Sequence, residues 1–172
     1  MTTRFDPVLA LSTLDKYKVR FVLIGGLAAR VHGSPSVTND LDICYDRKDD
    51  NLTRLAGALK VLGASLRGGP EGLPFLLDAD TLKRGDHFTF LTDAGALDIL
   101  GVPSGSHGFE ELLLTAERMD LGGFKVWVAA IDDLISMKKS AGRPKDRVEV
   151  EILGALREEV DKSKPSKSRG VE

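Results

Sequence analysis

Two acidic residues separated by a single leucine, Asp40 and Asp42, are the part of the sequence best suited to chemistry. On a β-strand, residues i and i+2 point to the same face, so the two carboxylates would lie about 6.5–7 Å apart. At an effective dielectric constant of about 20 their repulsion costs on the order of 2–3 kcal/mol, and burial adds to it. A solvated edge strand tolerates that cost. A divalent cation reverses it, because Mg²⁺ prefers carboxylate oxygens together with water and phosphate.

A third acid, Asp98, stands in the otherwise apolar segment 96–100. If this segment forms a strand beside residues 40–45, three carboxylates converge on one face of a sheet. Two of them can hold a metal ion, and the third can bind metal or take a proton from an attacking hydroxyl. Taken alone, Asp98 is equally consistent with an ordinary residue at the end of a strand.

A pair of glycines, Gly25 and Gly26, directly follows the apolar run 21–24. A helix that starts at this point presents free N–H groups and its positive end to phosphate oxygens. The absent Cβ atoms allow a triphosphate to approach the backbone closely. An ordinary strand–helix turn is the alternative when the glycines are considered alone. Together with the acids, they indicate in-line phosphoryl transfer.

The elements that must position these residues follow from hydrophobic spacing and from turn residues. We predict strands at 20–24, 40–45, 87–92 and 96–100, a second hairpin within 119–130, and a loop at 67–80. Helices are predicted after the Asp6 cap, at 27–32, from a cap at Asp50 or Asn51 to Gly63, and at 109–118, 132–140 and 144–160. The fold class is therefore α/β (α+β), with a small mixed sheet flanked by helices and a helical C-terminal part. One domain spans residues 1–160, followed by a disordered polar tail at 161–172.

The whole chain has the composition of a globular protein, with 172 residues and a net charge of −2. This charge excludes a globally basic nucleic-acid binder. The single cysteine, Cys44, excludes an internal disulfide framework and suits a reducing compartment. The sequence has neither the pattern of a signal peptide nor an apolar run long enough to span a bilayer. We therefore expect a cytoplasmic protein without a membrane partner.

At this point the residues resemble the nucleotidyltransferase superfamily of the DNA polymerase β type. Its signature is a Gly-Gly or Gly-Ser turn, then Asp-x-Asp, then a third carboxylate on a later strand. These positions correspond to Gly25-Gly26, Asp40 with Asp42, and Asp98. Residues 32–42, HGSPSVTNDLD, look more closely like small bacterial members, including the AbiEii-type toxins of toxin–antitoxin pairs.

The later segment 132–146, DDLISMKKSAGRPKD, also resembles that group. By this similarity Lys138 or Lys139 would meet the triphosphate, and Asp146 would organise the basic side chains. The basic residues of this segment also suit RNA binding or a solvated helix face. Ser34 and Thr38 are candidate phosphate contacts, and a plain loop is the alternative for both.

The resemblance implies a nucleotidyltransferase that moves a nucleoside monophosphate from a nucleoside triphosphate, such as ATP, to an acceptor hydroxyl on RNA, tRNA or protein. A two-ion Mg²⁺ site would use Asp40, Asp42 and Asp98, with Mn²⁺ as the alternative metal. The protein would be the toxin of a toxin–antitoxin pair, with an antitoxin as its partner. One residue departs from the pattern: Ser36 stands where members of the group often carry arginine.

Two other classes of function fit parts of the sequence. A non-catalytic nucleotide-binding or antitoxin-like interaction module would keep the fold without turnover, which Ser36 and the short chain favour. A metal-dependent glycosyltransferase also uses Asp-x-Asp, to bind nucleotide-sugar diphosphates. Its signature lacks the upstream glycine pair, so we rank it last.

Overall fold

The computed structural model describes residues 4–68 and 75–163 of the chain. The helices in these residues are α1 (Pro7–Lys16), α2 (Gly25–Val31), α3 (Asp49–Val61), α4 (Ala79–Arg84), α5 (Phe109–Thr115), α6 (Ile131–Ala141) and α7 (Pro144–Ser163). The strands are β1 (Phe21–Ile24), β2 (Asp40–Tyr45), β3 (Ser65–Leu66), β4 (His87–Thr92), β5 (Gly95–Leu100), β6 (Glu117–Asp120) and β7 (Lys125–Val128). None of the helices in these two segments is long and apolar enough to cross a bilayer.

The strands of the described residues form one mixed sheet in the order β3-β4-β5-β2-β1-β7-β6. β2 lies in the middle, antiparallel to β1 and parallel to β5. β1 and β7 also run parallel, and the remaining neighbours are antiparallel. Helix α6 packs against α7 in the C-terminal part. The predicted α/β class, the mixed sheet and the helical C-terminal part are confirmed.

The core lies where the apolar spacing of the sequence predicts it. All four residues of β1 are buried, as are the inward positions of α3 at Leu52, Leu55 and Leu59. Helix α1 begins as predicted, because the Asp6 carboxylate accepts a hydrogen bond from the Leu9 N–H at 3.0 Å. These contacts fix the central strands, which carry the acids.

The predicted start of α3 is wrong. The helix begins at Asp49, with Lys48 at the N-cap position and no side-chain cap. Asn51 does not cap because its fully buried side chain is used elsewhere: its Oδ1 accepts from the Arg20 N–H at 2.7 Å, and its Nδ2 donates to the Arg20 and Asp46 carbonyls. The asparagine therefore ties α3 to the two chain segments that meet at one end of the β1–β2 pair, before Phe21 and after Tyr45.

Other boundaries also differ from the prediction, and helix α2 begins at Gly25 rather than at residue 27. Helix α5 ends at Thr115 rather than near residue 118, because Glu117 and Arg118 pair with β7. The predicted loop at 67–80 overlaps helix α4, which Asp78 caps through the Thr81 N–H at 2.8 Å. Residues 69–74 of that loop lie outside the described residues. Helix α7 continues to Ser163, three residues into the predicted tail. Residues 164–172 also lie outside, so their disorder stays a prediction.

Replacing Asn51 with alanine is expected to lower the free energy of unfolding by about 2–4 kcal/mol, because buried backbone groups lose their partners. Urea denaturation followed by circular dichroism measures this loss. Thr53→Ala in the same helix is the matched control, since the Thr53 hydroxyl bond to the Asp49 carbonyl is exposed. We expect the control to change stability by less than about 0.5 kcal/mol. Equal losses in both variants would show that the buried asparagine has no special role.

Candidate active site

The sheet register brings the predicted acids together. Asp42 in β2 is the register partner of Asp98 in β5 and, on its other side, of Ile24 in β1. Asp40 precedes Asp42 by two residues and so lies on the same face of the sheet. The three acids line a cleft of about 370 Å³, the acid cleft, together with Gly26, Thr38 and Lys138. This is the convergence that the alternation of β2 and the acid in β5 predict.

The surroundings of Asp42 make the ionised form of its carboxylate unfavourable. Burial, the largest cause, and the neighbouring carboxylates of Asp98 and Asp40 together raise its pKa to about 7, while Lys138 acts in the opposite direction. A positively charged ligand at this position would stabilise the ionised carboxylate. A cation at this position would offset both the burial and the neighbouring negative charges.

The glycine turn contacts the acids directly. Gly25 has a φ of +73°, in the left-handed region, and a Cβ at this position would overlap Oδ2 of Asp42. A Cβ on Gly26 would come within 3.0 Å of the Thr38 side chain. Gly25 therefore requires glycine, for its backbone conformation and its contact with a carboxylate, whereas Gly26 is closely packed against Thr38. Helix α2 starts beside the acids, so its first N–H groups lie next to the acid cleft.

A second charged cluster forms the wall of the acid cleft opposite the sheet. Asp146, whose side chain is only 1% exposed, accepts hydrogen bonds from the backbone N–H and Nε of Arg143 at 3.1 and 2.7 Å. Its other oxygen lies 3.5 Å from Nζ of Lys138. The carboxylate therefore holds two cations beside the acids. The prediction left Lys138 and Lys139 open, and the structure brings only Lys138 to the cleft, whereas Lys139 is exposed outside it.

Of the two predicted phosphate contacts, Thr38 lines the acid cleft and Ser34 does not. Ser34 is buried and does not line the cleft; its hydroxyl accepts a hydrogen bond from the Ser36 N–H at 3.3 Å. Thr38 lines the cleft, and its hydroxyl donates to the Asp40 carbonyl at 3.2 Å. Ser36 also lines it, and Arg30 from α2 donates to the Ser36 carbonyl at 3.1 Å. An arginine side chain thus contacts the backbone at Ser36, the position where the proteins that the sequence resembles often carry arginine.

The sequence did not predict two residues that contribute to the site, Glu149 and Arg67. Glu149 in α7 lines the acid cleft, and its Oε2 is buried without a hydrogen-bond partner among the described residues. Its position three residues after Asp146, on the same helix face, is the signal that could have found it. Arg67 lies 3.5 Å from Oδ1 of Asp98 and comes from the strand pair β3–β4. No local pattern marks Arg67, since the contact depends on the sheet order.

The acids suit a divalent cation by their chemistry, because hard carboxylate oxygens are the donors that Mg²⁺ and Mn²⁺ prefer. Asp42 carries the burial and the neighbouring negative charges that a cation would offset. Within residues 4–68 and 75–163, no three acidic, histidine or cysteine side chains form a ready-made metal site. Asp98 instead forms an ion pair with Arg67. Asp40, Asp42 and Asp98 are the residues that would hold such an ion.

Asp146→Asn is expected to lower the free energy of unfolding at pH 7 by about 1–3 kcal/mol, because Arg143 and Lys138 lose their buried partner. Burial acts to raise the pKa of Asp146, but the hydrogen bonds from Arg143 outweigh it and the pKa is lowered. A lowered pKa stabilises the fold above the ordinary aspartate range, and this contribution disappears as pH falls through the folded-state pKa. The gap between wild type and variant should therefore shrink from pH 7 to pH 3 in urea titrations. A constant gap would contradict the ion-pair role.

The fold of the chain is similar to that of solved proteins. No family model and no curated protein matches the sequence. Among solved structures, the lincomycin-bound crystal structure of the lincosamide antibiotic adenylyltransferase LnuA matches with a TM-score of 0.58 and 14% identity, over 89% of this chain and 99% of that chain. The crystal structure of ANT(2″)-Ia in complex with adenylyl-2″-tobramycin matches with a TM-score of 0.55 and 12% identity, over 91% and 95% of the two chains. The chain therefore has the nucleotidyltransferase fold, as the resemblance in its motifs predicts.

Proposed function

We propose that the protein is a Mg²⁺-dependent nucleotidyltransferase, which transfers a nucleoside monophosphate from a nucleoside triphosphate to an acceptor hydroxyl. The observation that carries this proposal is the register pairing of Asp42 with Asp98 beside the Gly25 turn. The shared fold with antibiotic adenylyltransferases supports it. Because the donor is a nucleoside triphosphate, we assign the reaction to the cytoplasm.

Each part of the site has a role in this reaction. Asp40 and Asp42 would hold the metal with Asp98, and Mg²⁺, or Mn²⁺ in its place, supplies positive charge that neutralises the transferring phosphoryl group. The backbone at Gly25 and Gly26 receives phosphate oxygens at the start of α2. Lys138 faces the charge that develops on the leaving pyrophosphate.

The proton of the acceptor hydroxyl goes to Asp98. This residue is the register partner of Asp42, and its side chain is 18% exposed, so an incoming hydroxyl can reach it. A guanidinium nitrogen of Arg67 lies 3.5 Å from Oδ1 of the same carboxylate.

The test is to incubate the purified chain with each labelled nucleoside triphosphate, Mg²⁺ and total cellular RNA. We expect the label to enter an acceptor and pyrophosphate to be released. The matched control is the Asp40→Ala/Asp42→Ala double variant, with its fold checked by circular dichroism. If the wild type binds Mg²⁺–triphosphate no better than this variant, the assignment of the site fails.

The acceptor classes differ in what supports them. RNA, tRNA and protein come from the resemblance to AbiEii-type toxins, and with them comes the role of a toxin that an antitoxin restrains. A small molecule is supported by the fold shared with enzymes that modify lincosamide and tobramycin antibiotics. The toxin role predicts growth arrest when the wild type is expressed without a partner, and normal growth with the double variant.

The alternative is an interaction module that keeps the fold and has no turnover. Ser36 at the position of the frequent arginine favours it. This alternative predicts that substituting the acids leaves the biological effect unchanged, whereas substituting surface residues abolishes partner binding.

A further inference from the structure

A cavity of about 420 Å³ lies away from the acid cleft and shares no lining residue with it. This volume is within the range of small-molecule sites. Its apolar walls come from α1, β1, α5 and β7 and include Leu11, Phe21, Phe109, Leu113, Val126 and Trp127. We call it the strand-start pocket.

The strand-start pocket lies at the opposite end of β1 from the glycine turn. β1 begins at Phe21, in the pocket, and Gly25 follows its last residue. At about 3.3 Å per residue, Phe21 and Gly25 lie about 13 Å apart along the strand. β7 runs parallel to β1 with Val128 beside Leu23, so Val126 lies beside Phe21. A ligand in this pocket therefore does not contact the three acids, and the inference does not rest on the proposed function.

Cations outnumber acids in the strand-start pocket. Lys18, Arg20 and Lys125 line it, and Asp15 is the one carboxylate in its lining. Arg20 is already paired with two carboxylates outside the lining. In the described part of the chain, neither Lys18 nor Lys125 forms an ion pair. Two unpaired ammonium groups and one carboxylate leave an excess of one positive charge, which suits a singly charged anion.

Lys18 has a backbone conformation that is typical of glycine. Its φ is +56°, and within residues 4–68 and 75–163 it is the one residue other than glycine with a positive φ. It ends α1, because its N–H donates to the Asp15 carbonyl at 2.9 Å and the Val19 N–H donates to the Leu14 carbonyl at 3.0 Å. Glycine is the common residue at this position of a helix end, since a Cβ is disfavoured there. A lysine at this strained position, with its side chain in the pocket wall, is consistent with a role in binding.

Trp127 gives the strand-start pocket an aromatic wall. It is 38% exposed, although its neighbours in β7, Val126 and Val128, are buried. Cζ of Arg118, its register partner in β6, lies 5.4 Å from the centroid of the ring, and this contact holds the ring in place. Phe109 from α5 adds a second ring to the lining. Aromatic ligands pack favourably against such rings.

We propose that the strand-start pocket binds a small aromatic carboxylic acid in its ionised form. The ring of the ligand packs against Trp127, and its carboxylate faces the ammonium groups of Lys18 and Lys125. The ligand binds without a covalent step.

A doubly charged phosphate group fits this pocket less well than a carboxylate. Arginine binds phosphate through two parallel N–H bonds, but the guanidinium of Arg20 already donates to Asp46 and Asp50. The N–H groups of Lys18 and Val19 are also used, in the end of α1. The two lysines therefore remain to bind the anion.

The test measures the fluorescence of Trp127, the only tryptophan of the chain, while the full chain is titrated with hydrocinnamate. We expect binding that is at least about tenfold tighter than that of hydrocinnamyl alcohol, which has the same carbon skeleton without the charge. Mg²⁺–ATP should not displace hydrocinnamate. Equal binding of the alcohol, displacement by Mg²⁺–ATP, or no binding of hydrocinnamate would overturn the inference. Tighter binding of AMP than of hydrocinnamate at Trp127 would also overturn it, in favour of a phosphate.

The Lys18→Gly variant separates binding from structure. It removes an ammonium group and relieves the backbone strain, so the melting temperature should rise while hydrocinnamate binding weakens by at least about fivefold. Binding of hydrocinnamyl alcohol should stay the same. The matched control is Lys162→Gln, which removes an exposed cation from α7. A stabilised Lys18→Gly variant with unchanged hydrocinnamate binding would show that Lys18 has no part in a site.

A second pair of variants tests the position of the ligand. Leu113→Trp fills the strand-start pocket from α5 and should weaken hydrocinnamate binding, measured by calorimetry, by at least about tenfold. The control is Leu114→Trp at the next residue, which is 84% exposed and outside the lining. Circular dichroism checks the fold of both variants, and Lys18→Gly alone decides the inference if Leu113→Trp does not fold. Equal affinities in two folded variants would place the ligand elsewhere and overturn the inference.

Discussion

Replacing Asp42 with asparagine is expected to reduce nucleotidyl transfer by about 10²–10³-fold and to stabilise the metal-free protein at alkaline pH. Activity falls because the amide cannot supply a negative charge to a cation. Stability rises because burial and the neighbouring acids make the ionised carboxylate unfavourable in the fold, with a pKa raised to about 7. Pyrophosphate release measures the first effect, and urea unfolding in EDTA measures the second.

The sign of the pH effect follows from the two pKa values. Between about pH 4 and pH 7, the folded state of the wild type keeps a proton on Asp42 that the unfolded state has released. The free energy of unfolding of the wild type therefore falls as pH rises through this window. The asparagine variant does not titrate at this position, so its advantage should grow from pH 5 to pH 8 by on the order of 2 kcal/mol.

The matched control is Asp80→Asn, which removes one exposed acid from α4. It should change neither activity nor the pH dependence of stability. A variant Asp42→Asn that shows the same advantage at pH 5 and pH 8 would mean that Asp42 ionises in the fold without cost. The electrostatic description of the cleft would then be wrong.

Gly25→Ala is expected to lower both the thermal stability of the protein and the rate of nucleotidyl transfer. The φ of +73° costs alanine about 1–2 kcal/mol, and the new Cβ overlaps Oδ2 of Asp42. Relief of that overlap requires the Asp42 carboxylate to leave its present position beside Asp98, so we expect transfer to fall by about 10²-fold. Thermal unfolding and initial rates of pyrophosphate release measure the two effects.

Gly154→Ala provides the control for the same chemical change. Gly154 lies inside α7, and a Cβ there would meet no atom within 4 Å. Alanine in a helix interior should stabilise the protein by about 0.5–1 kcal/mol, with activity unchanged. Full activity in Gly25→Ala would show that the glycine turn and the acids work independently.

The sequence predicts the centre of the site well because its signals are local. The apolar run of β1, the glycines and the alternating acids of β2 each determine a short piece of backbone. Asp98 is predicted from its odd position in an apolar strand. The sequence alone does not determine its pairing with Asp42, because two helices (α3 and α4) and two strands (β3 and β4) lie between β2 and β5 along the chain.

The parts that the sequence does not predict depend on contacts between distant segments. Lys138 and Lys139 are equivalent by type, and only the position of Asp146 distinguishes them. Arg67, which follows β3, contacts Asp98 in β5 across the intervening strand β4, and this contact depends on the order of the strands in the sheet. Asn51 looks like a helix cap in the sequence, but tertiary hydrogen bonds to Arg20 decide its role.

The alternation in β2 has a consequence for folding. Its acids lie on one face, and Leu41 and Ile43, both almost fully buried, lie on the other. A slip of one residue in the pairing of β2 would turn Asp40 and Asp42 into the hydrophobic core and expose these two apolar side chains. Buried carboxylates without partners are so costly that the slipped sheet cannot compete. The acids of the cleft therefore also specify the register in which β2 pairs with its neighbours.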